Sequence, residues 1–221
     1  MSTAAPTLPP PLTGENPVLD RIVRHARDHF FAHGYSQSTM DELAADLGMS
    51  KKTLYVHFAS KEALMRAVVE DLSREIRASA DELFANRRLN FAEKLRGFAE
   101  GMVERTARMN PRLLRDLQRF APEIYRQVAE MREKNIPYVF GRFIEEGQLA
   151  GMVRTDLDPG FAVAFFLSAM NGLIQPATMD GLGLAPREIA PRAIELLFGD
   201  PVVVLEVALE LTLLDRVQEH G

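Results

Sequence analysis

The sequence predicts an all-α protein, and three observations support this fold class. Apolar residues recur at intervals of three and four through most of the chain, as on one face of a helix. These stretches follow residues that commonly cap helices, such as Asn16, Thr39 and Ser50. No segment shows sustained alternation of apolar and polar residues, and Val202-Val203-Val204 is the only strongly β-branched cluster.

The first three predicted helices are closely spaced. The first begins at the cap-and-proline pair Asn16-Pro17 and continues to Gly34. The second is two turns long, begins with a capping box at Thr39 and ends at Gly48, where glycine suits the left-handed backbone beyond a helix. The third runs from Lys51 to Phe58. Two short helices after a longer one follow the helix-turn-helix plan.

Helices are predicted throughout the rest of the chain. They begin after Ser60 (running into the mid-80s), Asn90 and Pro111, then cover Pro122 to Gly147, a stretch from Asp158 to a glycine-containing loop after Pro176, and about Arg187 to Phe198 and Pro201 to Val217. Pro137 is predicted to kink its helix because an interior proline removes a hydrogen bond. We divide the chain into a leader (1–15), a helix-turn-helix domain (16–62) and a larger helical domain (63–221).

Composition excludes several classes of protein. The 221 residues, 47% of them hydrophobic, are enough for a buried core, and the lack of cysteine excludes disulfides and thiolate sites and favours the cytoplasm. Residues 1–15 are rich in proline and predict a disordered leader rather than a signal peptide. The apolar run Val202 to Leu214 contains two glutamates and is too short to span a membrane. We find no set of nucleophile, base and orienting residue, so neither an enzyme nor a cofactor is expected.

The third helix carries a basic outward face. From Ser50 to Lys61 the sequence has three lysines, one histidine and no acidic residue, although the net charge of the chain is -5. With Leu54 and Phe58 directed inward, a 100° rotation per residue centres the outward arc on Lys52 and Val56. Thr53 and Tyr55 flank these two.

These residue types suit contact with duplex DNA. Lys51 and Lys52 can donate to guanine or phosphate, Thr53 to a base edge or phosphate, and Tyr55 to phosphate, while Val56 can pack on a thymine methyl group. The helices that begin after Thr39 and Ser60 offer their N-termini to phosphates, with Lys61 beside the second. The alternative is that the caps are only caps and the lysines only a solvated surface, and the conjunction of features favours DNA binding.

The stretch TMDELAADLGMSKKTLYVHFASKEAL (residues 39–64), preceded by FFAHGY, resembles the DNA-binding domain of the TetR family. The resemblance covers about the first quarter of the chain and implies a homodimeric, usually repressing regulator with a helical C-terminal domain that binds a small molecule and dimerises. By position, the residues implied to contact DNA are Thr39, Met40, Lys51, Lys52, Thr53, Tyr55, His57 and Lys61. Val56 departs from the aromatic residue common in the family, and for His57 packing within the domain is an equal alternative.

The larger domain is predicted to hold an effector and to dimerise. Candidate effector-binding residues are Arg115, Phe120, Tyr125, Tyr138, Phe143 and Phe165, with ordinary core packing as the alternative for most of them. Candidate dimerisation residues are Phe161, Phe166, Met170 and Leu173, on the helix from Pro159 to Ala177, which is apolar on more than one face and would pair with one of the two final helices.

Three histidines, His25, His29 and His33, form a row at four-residue spacing on the first helix. Such a row can bind a metal, but no further ligand is visible in the sequence, so polar surface is the favoured interpretation and no metal is expected.

The sequence therefore predicts a regulator that binds a palindromic double-stranded operator as a dimer and is released by a small-molecule effector. The alternatives are a constitutive DNA-binding protein whose helical body only dimerises, and a helical enzyme.

Overall fold

The computed structural model describes residues 16–198, and this part of the chain is helical without a strand. Its helices are α1 (Pro17–His33), α2 (Met40–Asp46), α3 (Lys51–His57), α4 (Lys61–Ala85), α5 (Phe91–Thr106), α6 (Arg112–Phe120), α7 (Pro122–Leu149), α8 (Pro159–Leu173), α9 (Pro176–Leu182) and α10 (Pro186–Phe198). The all-α prediction is confirmed for the described residues. The predicted leader and the helix predicted from Pro201 to Val217 lie outside them.

The predicted caps are present. The Asn16 side chain accepts from the backbone N–H groups of Val18 and Leu19 at 3.1 and 3.3 Å. Thr39 and Ser50 accept from the third residue of their helices at 3.2 and 3.0 Å. Each cap satisfies backbone donors that the first turn of a helix leaves without a partner, so these short helices begin where the sequence predicts.

One element was predicted wrongly. The segment after Pro176, predicted as a loop, contains the two-turn helix α9. Pro176 occupies the first helical position, and Gly183, in the left-handed conformation with φ 64°, ends the helix. These are the start and stop signals of a helix. Helix α7 continues through Pro137 as far as Leu149.

The chain forms two compact units, and each unit is assembled from two separate stretches of the sequence. Among the described residues, unit 1 comprises 16–74 and 112–131, and unit 2 comprises 75–111 and 132–198. Helices α4 and α7 therefore contribute residues to both units. Unit 1 is larger than the predicted helix-turn-helix domain of residues 16–62. It also includes the first half of α4, the whole of α6 and the start of α7.

Each unit has its own apolar core. In unit 1 the fully buried side chains come from the first four helices, from α6 and from the start of α7, and include Ile22, Phe30, Leu43, Leu54, Leu64, Leu113, Leu117 and Ile124. In unit 2 the ring of Phe143 is fully buried and lies 4.6 Å from Phe84, 5.5 Å from Phe98 and 6.3 Å from Phe91, between ring centroids. In the same unit, α10 packs against α5 and α8.

No single helix among the described residues is long and apolar enough to cross a membrane. Helices α8 and α9 pass that test of length and composition only as a pair, and they are bent by 80° at the break between them.

Candidate nucleic-acid interface

The turn between α2 and α3 fixes how the two helices meet. Gly48 has φ 65°, a left-handed conformation that residues with a Cβ rarely adopt. The backbone N–H of Met49 donates to Ala44 at 3.0 Å, which closes the turn on the end of α2. Ser50 then caps α3, and its hydroxyl lies 2.8 Å from that of Thr53. Sequence alone predicted the left-handed Gly48 and the cap at Ser50, because each depends only on its immediate neighbours in the chain.

Helix α3 presents the predicted face to solvent. Leu54 and Phe58 are buried, as predicted, and anchor the helix to the core of unit 1. Lys52 and Thr53 are exposed, and so are the apolar side chains of Tyr55 and Val56, which are 41% and 76% exposed. The exposed face of α3 therefore combines apolar, hydroxyl and basic groups. These are the types of side chain that contact base edges and phosphates.

Lys51 already has a partner in the same unit. Its Nζ lies 2.7 and 3.0 Å from the two carboxylate oxygens of Asp41 on α2, and this hydrogen bond raises the pKa of Lys51. Both side chains are more than half exposed, so the pair contributes little to stability and can open. A phosphate contact by Lys51 would therefore first require this lysine to leave Asp41.

At the start of α2, the backbone is better placed than the side chains for a contact with DNA. Glu42 accepts from both the N–H and the hydroxyl of Thr39 at 2.9 Å, forming a complete capping box. The side chain of Met40 is 5% exposed and belongs to the core. Met40 was predicted among the DNA-contacting residues, and its burial leaves only its backbone N–H group for such a contact. The first turn of α2 has backbone N–H groups without an intrahelical acceptor, which is the feature that suits a phosphate.

Lys61 supports the loop between α1 and α2. Its ammonium group donates to the backbone carbonyls of Tyr35 and Ser38, both at 2.9 Å, and lies 4.3 Å from the centre of the Tyr35 ring. Burial lowers the pKa of Lys61. Lys61, which was predicted to contact DNA, thus donates two hydrogen bonds to this loop instead. Removing the Lys61 side chain would leave these two carbonyl groups without that donor.

A carboxylate of α6 holds the same loop. Asp116 accepts from the N–H of Ser36 at 2.8 Å and from its hydroxyl at 2.7 Å. The loop passes so close that a Cβ on Gly34, whose φ is 82°, would lie 3.0 Å from a carboxylate oxygen of Asp116. Sequence analysis did not identify Asp116 or Ser36, because 80 residues separate them and neither belongs to a motif.

Replacing Asp116 by alanine should lower the free energy of unfolding by about 2 kcal/mol, since two hydrogen bonds to a charged acceptor are lost. Urea unfolding at a fixed protein concentration, followed by circular dichroism, measures this change. Gln118→Ala is the matched control, because Gln118 is an exposed residue of the same helix. Equal stability of the two variants would show that Asp116 does not hold the loop.

The predicted effector-binding residues are divided between the units. Arg115, Phe120 and Tyr125 belong to unit 1, and Tyr138, Phe143 and Phe165 belong to unit 2. Within unit 2, Phe143 is fully buried among other rings, whereas Phe165 is 52% exposed. The hydroxyl of Tyr138 donates to Asp81 at 2.8 Å.

The predicted dimerisation residues also differ in exposure. Phe166 and Met170 are buried within the chain, and the ring of Phe166 stacks on that of Phe140 at 3.9 Å. Phe161 is 67% exposed and Leu173 is of intermediate exposure. The exposed positions of α8 recur at intervals of about one turn along a single face, and they are Gly160, Phe161, Ala164, Phe165, Ser168 and Gly172.

The packed three-helix arrangement of α1 to α3, with its glycine turn and exposed basic helix, defines a helix-turn-helix DNA-binding protein. Residues 22–68 match the family model described as "Bacterial regulatory proteins, tetR family". The HTH-type transcriptional regulator YvaF of Bacillus subtilis (strain 168) is 26% identical over 138 residues, which are 62% of this chain and 72% of YvaF. The HTH-type transcriptional repressor DhaR of Mycobacterium sp. (strain GP1) is 22% identical over 161 residues, 72% of this chain and 81% of DhaR.

Solved structures share the fold over most of the chain. The TetR family regulator PfmR of Thermus thermophilus superposes with a TM-score of 0.53 at 23% identity, covering 81% of this chain and 97% of PfmR. FadR of Bacillus subtilis, solved in complex with stearoyl-CoA, gives a TM-score of 0.55 at 18% identity, covering 81% and 97% of the two chains. Together these comparisons support a transcriptional regulator of the TetR family, with the family match itself confined to residues 22–68.

Proposed function

We propose that the protein is a ligand-responsive repressor that binds a palindromic operator as a dimer and is released by a small-molecule effector. The observation that carries this proposal is the pair of hydrogen bonds from Ser36 to Asp116. They tie the loop in front of α2 to α6, a helix outside the three that form the helix-turn-helix. A movement of α6 would therefore change the position of α2 and α3.

The reading surface in this proposal is the exposed face of α3, with support from the start of α2. Lys52, Thr53, Tyr55 and Val56 would face the major groove, Lys51 would leave Asp41 for a phosphate, and His57, which is half-buried, would lie at the edge. Thr39 and Met40 would contribute through the backbone at the start of α2. Lys61 would act indirectly, by holding the loop between α1 and α2.

The effector would bind in unit 2, among the residues that this unit contributes between Asn90 and Phe166 (90–111 and 132–166). The rings around Phe143 offer apolar surface, and the Lys94 ammonium and Glu146 carboxylate, 2.5 Å apart and partly buried, offer a polar end. A small, largely apolar molecule suits this composition. Helix α7 carries Phe143 and also supplies residues 122–131 to unit 1, directly after α6. A shift of α7 would therefore act on α6, which carries Asp116 and ends at Phe120, two residues before α7 begins.

Two relatives support the regulatory part of the proposal. DhaR is named as a repressor, and FadR was solved with an acyl-CoA bound. For this chain we propose the same direction of control. The effector favours a spacing of the two helix-turn-helix domains of the dimer that does not fit the operator. Coupling requires unequal affinity for the two spacings, and a coupling of ~1–3 kcal/mol changes DNA affinity by about 5- to 150-fold.

The effector and the operator should weaken each other's binding by the same factor. The test uses the full chain, a duplex selected from a random library, and apolar compounds, acyl-CoA thioesters among them, first identified by thermal shift. Each hit is titrated by calorimetry with and without the duplex. We expect a difference in affinity of about 5- to 150-fold.

Asp116→Asn serves as the second arm of this test. If Ser36 and Asp116 transmit the signal, the variant binds the effector as the parent does but shows a smaller difference between the two titrations. Identical affinities with and without duplex for every hit would contradict ligand control. That outcome would favour a constitutive DNA-binding protein whose helical body only dimerises.

A further inference from the structure

We propose that His25, His29 and Asp46 form a binding site for a divalent transition-metal ion of the zinc class, located between α1 and α2. One ligand atom from each residue lies within 4.8 Å of the other two. His25 Nε2 is 3.6 Å and His29 Nδ1 is 3.3 Å from the same oxygen of Asp46. The site is independent of the DNA-contacting face of α3 and of the proposed effector.

The spacing of these atoms fits one shared ion. With zinc-ligand bonds of about 2.0–2.1 Å, the ligand atoms of a tetrahedral site are about 3.4 Å apart. The two distances to Asp46 are close to this value, and the two histidine nitrogens, which lie within 4.8 Å of each other, have to take up about the same separation. Since His25 and His29 are one turn apart on α1, a change of side-chain torsion is enough, with no movement of the backbone.

Two features of the cluster suit a bound ion. His25 Nε2 is buried and has no hydrogen-bond partner among the described residues. The Asp46 carboxylate is half exposed, so water has access to the remaining coordination positions.

The ligand set defines the class of ion. Two imidazole nitrogens and one carboxylate suit Zn²⁺, Co²⁺, Ni²⁺ or Cu²⁺, whereas Ca²⁺ and Mg²⁺ prefer oxygen ligands throughout. Three protein ligands leave at least one position for water, so the site is open rather than closed. Its third ligand comes from the end of α2, hence an ion would join α1 to α2 and brace the helix-turn-helix.

Cobalt binding to the full chain, free of any polyhistidine tag, tests the site. Co²⁺ should give visible d–d absorption that saturates at one ion per chain and that Zn²⁺ displaces. Asp46→Asn and His29→Gln should each weaken Co²⁺ binding by at least about 10-fold. Zn²⁺ at a hundredfold excess over its dissociation constant should raise the melting temperature by about 5 °C in the parent but not in these variants.

His33→Gln is the matched control, because His33 continues the row on α1 but does not belong to the cluster. It should bind Co²⁺ as the parent does. Loss of binding in His33→Gln with binding kept in Asp46→Asn would replace our site by a row of histidines on α1 and overturn the assignment. The parent alone can also overturn it: no saturable absorption at one equivalent would leave the cluster as an ion pair.

Discussion

Replacing Lys52 by alanine should weaken binding to a selected operator by at least about 30-fold. A side-chain contact to a base is worth about 1–3 kcal/mol, and a dimer on a palindrome loses it in both half-sites. Lys52 is exposed on the outward face of α3 and, unlike Lys51, is not held by Asp41. Fluorescence anisotropy with the full chain and a duplex selected from a random library measures the loss at fixed salt.

Tyr55→Ala should weaken binding through a different contact. The exposed phenol can donate to a phosphate while its ring lies against a sugar, so its loss should affect all sequences alike.

The Lys52→Ala variant distinguishes a base contact by Lys52 from a phosphate contact. If Lys52 contacts a base, the variant also discriminates less between the selected and a scrambled duplex. If it contacts a phosphate, the dependence of log affinity on log salt falls by about one contact per half-site.

Lys134→Ala provides the control for net charge, since Lys134 is an exposed lysine of α7 in unit 2. This variant should bind the operator as the parent does. Binding by Lys52→Ala and Tyr55→Ala at the affinity of the parent would show that the outward face of α3 is not the reading surface.

The features that sequence predicted well are those that local physics determines. A capping box spans four residues, the left-handed glycine ends α2 where the helical pattern stops, and the buried pair Leu54 and Phe58 lies one turn apart. Rotation of 100° per residue then fixes the exposed side of α3 without knowledge of the remaining fold. The same local signals, proline at the first turn and a terminal glycine, were present for α9 but were interpreted as a loop.

The features that sequence could not predict depend on contacts between distant segments. Nothing in the chain near residue 36 indicates that Asp116 accepts its hydrogen bonds, and the distance in sequence is 80 residues. Lys61 was interpreted by its position at the start of α4, yet its ammonium group turns inward to Tyr35 and Ser38. Asp46 joins His25 and His29 only because α1 and α2 pack together, so the third ligand of the metal site appears only in the fold.

The choice of dimerisation residues shows a related limit. An apolar helix such as α8 buries one side in its own chain, and periodicity does not reveal which side when both are apolar. Phe166, stacked on Phe140, lies on the buried side, so a charge there would disturb the core of unit 2. The opposite side presents Phe161 and Phe165 next to small residues that let another helix approach. We therefore propose that this exposed side pairs with a second copy of the chain.

Phe165→Glu should convert the dimer to a monomer at micromolar concentration, raising the dimer dissociation constant by at least about 100-fold. In a two-fold symmetric dimer the same patch meets its own copy, so one substitution buries two unpaired carboxylates in an apolar seam, at a cost of several kcal/mol. Light scattering after size exclusion measures the mass, and circular dichroism shows whether unit 2 stays folded. Leu149→Glu is the matched control, because Leu149 is 90% exposed at the end of α7 and lies outside the α8 face, so this variant should remain a dimer. A folded Phe165→Glu variant that is still dimeric at low micromolar concentration would place the dimer interface elsewhere on the chain.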